Sequence, residues 1–543
     1  MTTTPTVARE PAGQAAQETL EDYTLRFAPR SYRRWTPGVV ATTALGGIAY
    51  LADFSIGAGI GISYGTANAL AGILVAAVII FTTGLPLAYY GARYNLDLDL
   101  VTRGAGFGYY GSVLTAVIFG SFTFLFFATE GAIMAQGLQA GLGVPLWLGY
   151  LITTLVVVPL VVYGMKALSR VQVWTTPLWL LLMVGPLGYL VAVDPGAVPR
   201  WLAFTGEEGR GLNAASVMLG AGVALSLMAQ IGEQVDYLRF MPPKTAANKR
   251  SWWASVLVAG PGWVLFGAAK QATGAFLAFT IMATAGQAAG EPVQQFLGVY
   301  GMFLPAAVAV PLAVLLVVLS QVKINVTNAY SGSLTWTSAF TRITRHYPGR
   351  IVFVLGNLAV ALALMEADMF AVLNSVLSFY ANCAIAWVVV VASDIVLNKY
   401  LLRISPKEPE FRRGMLHAVN PVGVVSFLAS AITSIAAYFG AFGPAVAPYS
   451  PLVAVLIALG LPPVLAVATR GRFYLRRGDD GIAEPRFDAD GTPVATTYPC
   501  HVCGEEFERP DVLACFAHDA VICSLCLTTD RTGEHVLPAD PPR

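Results

Sequence analysis

Seven residues near the C-terminus carry the clearest metal chemistry in the chain: Cys500-x2-Cys503-x11-Cys515-x2-His518-x4-Cys523-x2-Cys526-x8-His535. A Cys-x2-Cys pair makes a tight knuckle that presents two thiolates to one tetrahedral ion, and two such pairs at this spacing point to zinc. Cys500, Cys503, Cys523 and Cys526 are expected to close one four-thiolate site. No acid stands where it would activate a metal-bound water, so the expected role is structural. A second group stands out by location. Asp53, Glu130, Glu233 and Lys323 lie in long apolar stretches, where a charge costs about 2.5–3.5 kcal/mol on insertion scales and marks a substrate or ion pathway by default. Two of the acids and the base could neutralise one another around a single cavity; Glu233 is close enough to the end of its stretch to be interfacial. Lys270 is a weaker candidate, because its stretch is long and the side chain could snorkel. Phe126 and Glu130 are four residues apart and share one helical face. There a ring could stack on a flat heterocycle while the carboxylate bonds its edge, or the ring could serve as core alone.

Only a membrane can position these groups. The chain has 543 residues, 56% hydrophobic and 12% charged, with mean hydropathy +0.63. Soluble proteins carry about 25% charged residues, and large soluble chains split into domains instead of absorbing so much apolar surface. Apolar stretches long enough to span about 30 Å recur near 38–61, 66–90, 109–138, 145–164, 172–192, 212–234, 252–283, 303–324, 350–366, 370–397, 421–442 and 449–468. The loops after odd-numbered spans hold only Arg200 and Arg210; Arg93, Arg103, Lys166, Arg170, Arg239 to Arg250, Arg342 to Arg350 and Lys399 to Arg413 fall in the even-numbered loops. Basic loops stay cytoplasmic, which places both termini in the cytoplasm of a multi-pass cell-membrane protein. Residues 1–36 are polar and lack the apolar core of a cleavable signal. Thiols stay reduced on the cytoplasmic side, so disulfides are not expected in the tail, and lone Cys383 reads as a small core residue.

The expected organisation is a cytoplasmic segment over 1–36, a twelve-helix domain over 37–470, an acidic linker over 471–497 and a zinc-binding domain over 498–543. From 479 onward, 13 Asp and Glu face 4 Arg and no Lys. That acidity argues against nucleic-acid binding and favours a protein partner or a regulatory role. Span 1 holds Gly46, Gly47, Gly57, Gly59 and Gly61 around Asp53, and span 6 holds Gly220, Gly222 and Gly232. Interrupted helices at matching positions of two halves point to a transporter site at the midplane; single glycines also serve close helix packing.

Three runs carry a family resemblance: EDYTLRFAPRSYRRW before span 1, GEQVDYLRFMPP closing span 6, and INVTNAYSGSL in span 8. Over residues 20–475 the chain resembles the nucleobase–cation symporter-1 family of cytosine, purine, hydantoin and allantoin permeases. The resemblance implies an all-α fold of leucine-transporter type, two inverted five-helix repeats plus two helices, with substrate held between helices 1, 3, 6 and 8. By the same resemblance, Phe126 or Phe127 stacks on the heterocycle, and Glu130, Ser226, Leu227, Gln230 and Asn325 complete the substrate site. The family's usual helix-3 tryptophan is replaced here by Phe. Sodium-coupled members use helix-1 carbonyls and helix-8 hydroxyls; here one hydroxyl position holds Lys323, leaving Ser320. A fixed ammonium repels sodium at short range. The expectation is therefore that Lys323 substitutes for the ion and pairs with Asp53 or Glu130, so that coupling is to H+ or absent, with Na+ the alternative coupling ion that the family resemblance implies. The tail looks like a B-box-type cross-brace, which implies a second zinc site of Cys515, His518 and His535. Its fourth ligand is left open between Asp530 and no second ion at all.

The reading that follows is a secondary transporter of a small heterocyclic solute. Its rival is a transporter-derived sensor that reports ligand occupancy through the zinc tail. An enzyme is disfavoured, because the charged residues show no catalytic spacing.

Overall fold

In the computed structural model, residues 25–535 are described except 163–164, 368–372, 516 and 534. Expectations for residues 1–24, for the start of span 10 at 370–372 and for residues 536–543 of the tail lie outside the described residues. Each of the twelve apolar stretches takes up helix. Span 1 is split into α1 (Pro37–Gly46) and α2 (Ala52–Tyr64). Then follow α3 (Thr66–Tyr94), α4 (Val113–Leu142), α5 (Leu146–Val156) and α6 (Met165–Val193). Span 6 is α7 (Ala214–Leu225) and α8 (Ile231–Leu238), and span 7 is α9 (Lys249–Ala259) and α10 (Trp263–Ala285). The remainder are α11 (Ala306–Thr344), α12 (Arg350–Glu366), α13 (Leu373–Ser393), α14 (Pro421–Tyr438) and α15 (Ser450–Ala468).

Among the described residues, nine helices are long and apolar enough to cross a membrane, or ten if the bent pair α1–α2 is one span. Spans 4 and 9 form the shorter helices over 146–162 and 350–366. Span 8 runs well past its expected end at 324. Its inner half (Asn325, Thr327, Asn328, Ser331, Ser333) is polar yet buried, because neighbouring helices, not lipid, surround it. Hydropathy therefore cut α11 short.

The two expected interruptions differ. Between α1 and α2 the axis bends by 52°, and Tyr50 turns extended at ψ 151°. Span 6 does not break; it tightens to a 3-10 turn over Ser226–Gln230, a common mark of a hinge inside a helix. The glycines mostly bring helices together. A Cβ on Gly57 would fall 1.8 Å from the Gln271 carbonyl oxygen, and one on Gly274 would fall 2.2 Å from that of Phe54. So α2 and α10 pack backbone to backbone, which sets Asp53 opposite Lys270.

The described residues before α1 and the described tail meet on one face of the helical body. The tail there forms two hairpins, β1 (Thr497–Pro499) with β2 (Glu506–Glu508) and β3 (Val512–Cys515) with β4 (Ala520–Cys523), followed by α16 (Ser524–Thr529). Its small core joins Cys500, Cys515 and Cys523 to Phe507, Leu513 and Ile522.

Candidate functional site

A break in a helix strands backbone groups that water cannot reach inside a membrane, so side chains must satisfy them. At the α1–α2 junction Glu130, projecting from α4, accepts the main-chain N–H groups of Leu51 and Ala52, each at 3.3 Å. This places a carboxylate on the N-terminal end of α2, where the helix dipole favours negative charge. The carbonyl oxygens freed on the other side of the break meet a cation. Lys270 Nζ donates to Ile48 O at 2.5 Å and Tyr50 O at 3.0 Å, and it lies 2.8 Å from Asp53 Oδ2. Gln271 Nε2 donates to the other Asp53 oxygen at 2.7 Å. Lys270 is 4% exposed and Asp53 is fully buried, so Lys270 does not snorkel.

The expected partnership of Lys323 with Asp53 or Glu130 is not what forms. Lys323 Nζ faces away, donating to Gln172 O (2.9 Å), Thr175 Oγ1 (3.1 Å) and Thr176 Oγ1 (3.0 Å) on α6. Ser320 accepts from Trp179 Nε1 at 2.9 Å on the same helix. The register of α11 turns both toward α6, while the α2–α10 approach delivers Lys270 to Asp53.

Of the expected substrate residues, Phe126, Phe127 and Glu130 lie buried on α4, with Phe126 against Phe122 at 4.4 Å between ring centres. Ser226, Leu227 and Gln230 fall together on the 3-10 turn of span 6. Ser226 spends its hydroxyl on Val223 O at 2.7 Å, and Gln230 Nε2 donates to Glu233. Neither Glu130 nor Glu233 has an ion-pair partner among the described residues. Asn325 accepts from Asn328 at 3.3 Å, and its own Nδ2 is buried without a partner among the described residues. A cavity of about 350 Å³ opens beside the break between α1, α6 and α10, lined in part by Ile48, Phe54, Trp179 and Lys270; none of the seven expected substrate residues lines it.

Toward the face that carries the tail, the helices are tied by buried ion pairs. Arg239, in the Asp-Tyr-Leu-Arg-Phe run, lies 3.5 Å from Asp97 and donates to Tyr330 OH at 3.0 Å. Asp99 pairs with Arg103 at 2.7 Å and with Arg342 at 2.6 Å.

In the tail the four sulfurs of Cys500, Cys503, Cys523 and Cys526 lie within 4.8 Å of one another. The main-chain N–H groups of Cys523 and Cys526 point at the sulfurs of Cys500 and Cys523. The second cluster is completed by a residue the spacing did not reveal. Cys515, His518 and His535 converge with His501, their ligand atoms also within 4.8 Å. His501 donates from Nδ1 to Val521 O at 3.1 Å, which orients the ring and leaves Nε2 free. Asp530 is not a member. Its carboxylate instead accepts the N–H groups of Thr532, Gly533 and His535, ordering the turn that carries His535. Both donor sets suit a borderline-soft tetrahedral ion such as zinc.

The sequence profile of the permeases for cytosine/purines, uracil, thiamine and allantoin matches residues 28–456. Among solved structures the chain is similar to Mhp1, a nucleobase–cation-symport-1 family transporter, closed with bromovinylhydantoin bound. The two are 17% identical over 84% of this chain and 95% of that one, with a TM-score of 0.61. Inward-facing Mhp1 gives 18% identity, 85% and 99% coverage and a TM-score of 0.60. A Na+-coupled sialic acid symporter, outward-open with substrate, gives 13% identity, 84% and 93% coverage and 0.56. No curated protein matches the chain.

Proposed function

Because the chain belongs to the nucleobase–cation symporter-1 family, the permeases for cytosine/purines, uracil, thiamine and allantoin, and is thereby a multi-pass secondary transporter, we propose that its solute is a small, flat, nucleobase-like heterocycle carried by alternating access. The observation that carries this reading is the Glu130 carboxylate on the α1–α2 break, one turn from the buried Phe126. A ring stacked on Phe126 would present its N–H edge to Glu130, and closure of the helices around it would exclude water. The partnerless Nδ2 of Asn325 supports a role for that residue at another edge, and Gln230 would have to release Glu233 to take one.

The second part of the proposal concerns coupling. Three oxygens at the break, two carbonyls and one carboxylate, already surround the Lys270 ammonium. A sodium ion there would meet a positive charge at contact distance. Lys270, in the role expected of Lys323, thus supplies a tethered cation, and the ion-pair-free carboxylates of Glu130 and Glu233 are the groups that would carry a proton. By the charge of its loops the protein sits in the cell membrane with both termini cytoplasmic. The tail holds zinc, one ion in the four-cysteine site and one in the His501–Cys515–His518–His535 site; both ions serve structure, holding hairpins too small to fold on their own core. A thermal-shift screen of purified protein against cytosine, purines, uracil, thiamine, allantoin and hydantoins tests the solute class; stabilisation by none of them would overturn it.

A further inference from the structure

The tail is docked on the helical body, and two of its faces grip different parts of it. One face carries Glu508 and Asp511, between the Cys503 and Cys515 ligand positions. Arg26 Nε lies 3.0 Å from Asp511, and Arg33 lies 3.1 Å from Glu508. The main-chain N–H groups of Phe27 and Arg30 donate to the same two carboxylates at 3.3 and 2.6 Å. These arm residues lead directly into α1. The other face is α16 and the turn after it. Thr528 Oγ1 bonds Tyr109 OH at 2.8 Å, in the loop before α4. Arg413, in the loop before α14, donates to the carbonyls of Leu527 and Asp530 at 2.8 and 2.9 Å.

The ligand clusters hold these faces in register. Cys523 and Cys526 begin α16, and Cys515 ends the strand that follows Asp511. Asp530 offers its carbonyl to Arg413 while its carboxylate orders the turn to His535. The docked tail thus bridges the arm before α1 and the loops before α4 and α14. The two clusters differ in chemistry. Four thiolates hold zinc tightly, whereas three imidazoles and one thiolate hold it less firmly, and His501 and His518 are exposed.

We propose that the tail is a zinc-assembled latch on the cytoplasmic side of the transporter, and that occupancy of the His501–Cys515–His518–His535 site sets whether the latch is closed. This rests on the tail binding zinc, which the test measures separately. The full-length protein in lipid nanodiscs is titrated with zinc sulfate or a chelator, its metal content is measured, and hydrogen–deuterium exchange is followed over residues 25–36 and 105–112. Loss of one ion of two is expected to speed exchange in both segments about tenfold, the scale of a few lost charge-assisted hydrogen bonds. His501→Ala is expected to keep one ion and exchange fast even in excess zinc. Glu508→Gln with Asp511→Asn is expected to keep both ions while residues 25–36 exchange fast, which separates the latch from folding of the tail. Equal exchange at one and two bound ions, or failure to bind a second ion, would overturn the proposal.

Discussion

Lys270 Nζ lies 2.8 Å from Asp53 Oδ2, both side chains buried where α10 crosses α2. The same ammonium holds the carbonyl oxygens of Ile48 and Tyr50, so one cation neutralises an acid and satisfies a broken helix. Removing it leaves a buried carboxylate unpaired, which costs about 3–5 kcal/mol. Lys270→Met is therefore expected to lower the unfolding midpoint sharply in detergent-purified protein. Lys270→Met combined with Asp53→Asn is expected to recover most of the loss. Additive losses in the double variant would show that the two groups do not act as a pair.

Glu130 bonds the α2 N-terminus through two long hydrogen bonds and has no ion-pair partner among the described residues. Glu130→Gln keeps an acceptor oxygen for one of those N–H groups, so the fold is expected to survive with a loss of stability of about 1 kcal/mol. Solute binding is expected to fall by ten- to a hundredfold, on the order of 1.4–2.7 kcal/mol for a lost charged hydrogen bond. Isothermal titration with the solute found by screening measures it. Unchanged affinity would remove Glu130 from the site.

The loop between α13 and α14 joins the tail through a charged knot outside the membrane. Burial pushes the Glu410 carboxyl up, but the guanidiniums of Arg412 and Arg486 outweigh it and hold it at about 2, below the ordinary 4.5. A carboxyl depressed in the folded state contributes its full stability above about pH 4.5 and loses it as pH falls toward about 2. Glu410→Gln is expected to cost about 3 kcal/mol at pH 7. The gap between wild type and variant should then narrow steadily below about pH 4.5. A gap that stayed constant from pH 7 to pH 3 would contradict this assignment.

Much of this was legible in the residues. Each of the twelve apolar runs fell on helix, and nine or ten of these helices among the described residues meet the length and composition that lipid imposes on a span. The four-cysteine cluster was legible too, since a knuckle is a local structure. What sequence missed depends on three-dimensional register. Lys270 looked free to snorkel because nothing in its own helix shows that Gly57 and Gly274 let α2 and α10 touch backbone to backbone. Lys323 looked like the partner of Asp53 or Glu130 because its face of α11 cannot be read from one sequence. The apolar run of span 8 stopped at 324, short of the buried polar half of α11, since burial by neighbours leaves no hydropathy signal. His501 escaped because it sits inside a Cys-x2-Cys knuckle and reaches across to a cluster 14 residues on. The one available hint was charge balance: Asp53 needed a buried cation, and Lys270 was on hand in a neighbouring span.

Solute movement with and without sodium tests transport and its coupling most directly. Purified protein in sealed proteoliposomes should accumulate at least one radiolabelled solute from the set cytosine, purines, uracil, thiamine, allantoin and hydantoins. Accumulation should be driven by an inward proton gradient and be unaltered when sodium is replaced by choline. Uptake that needs sodium would contradict the tethered-cation account of Lys270. A solute that binds tightly yet never accumulates under either gradient would contradict transport itself.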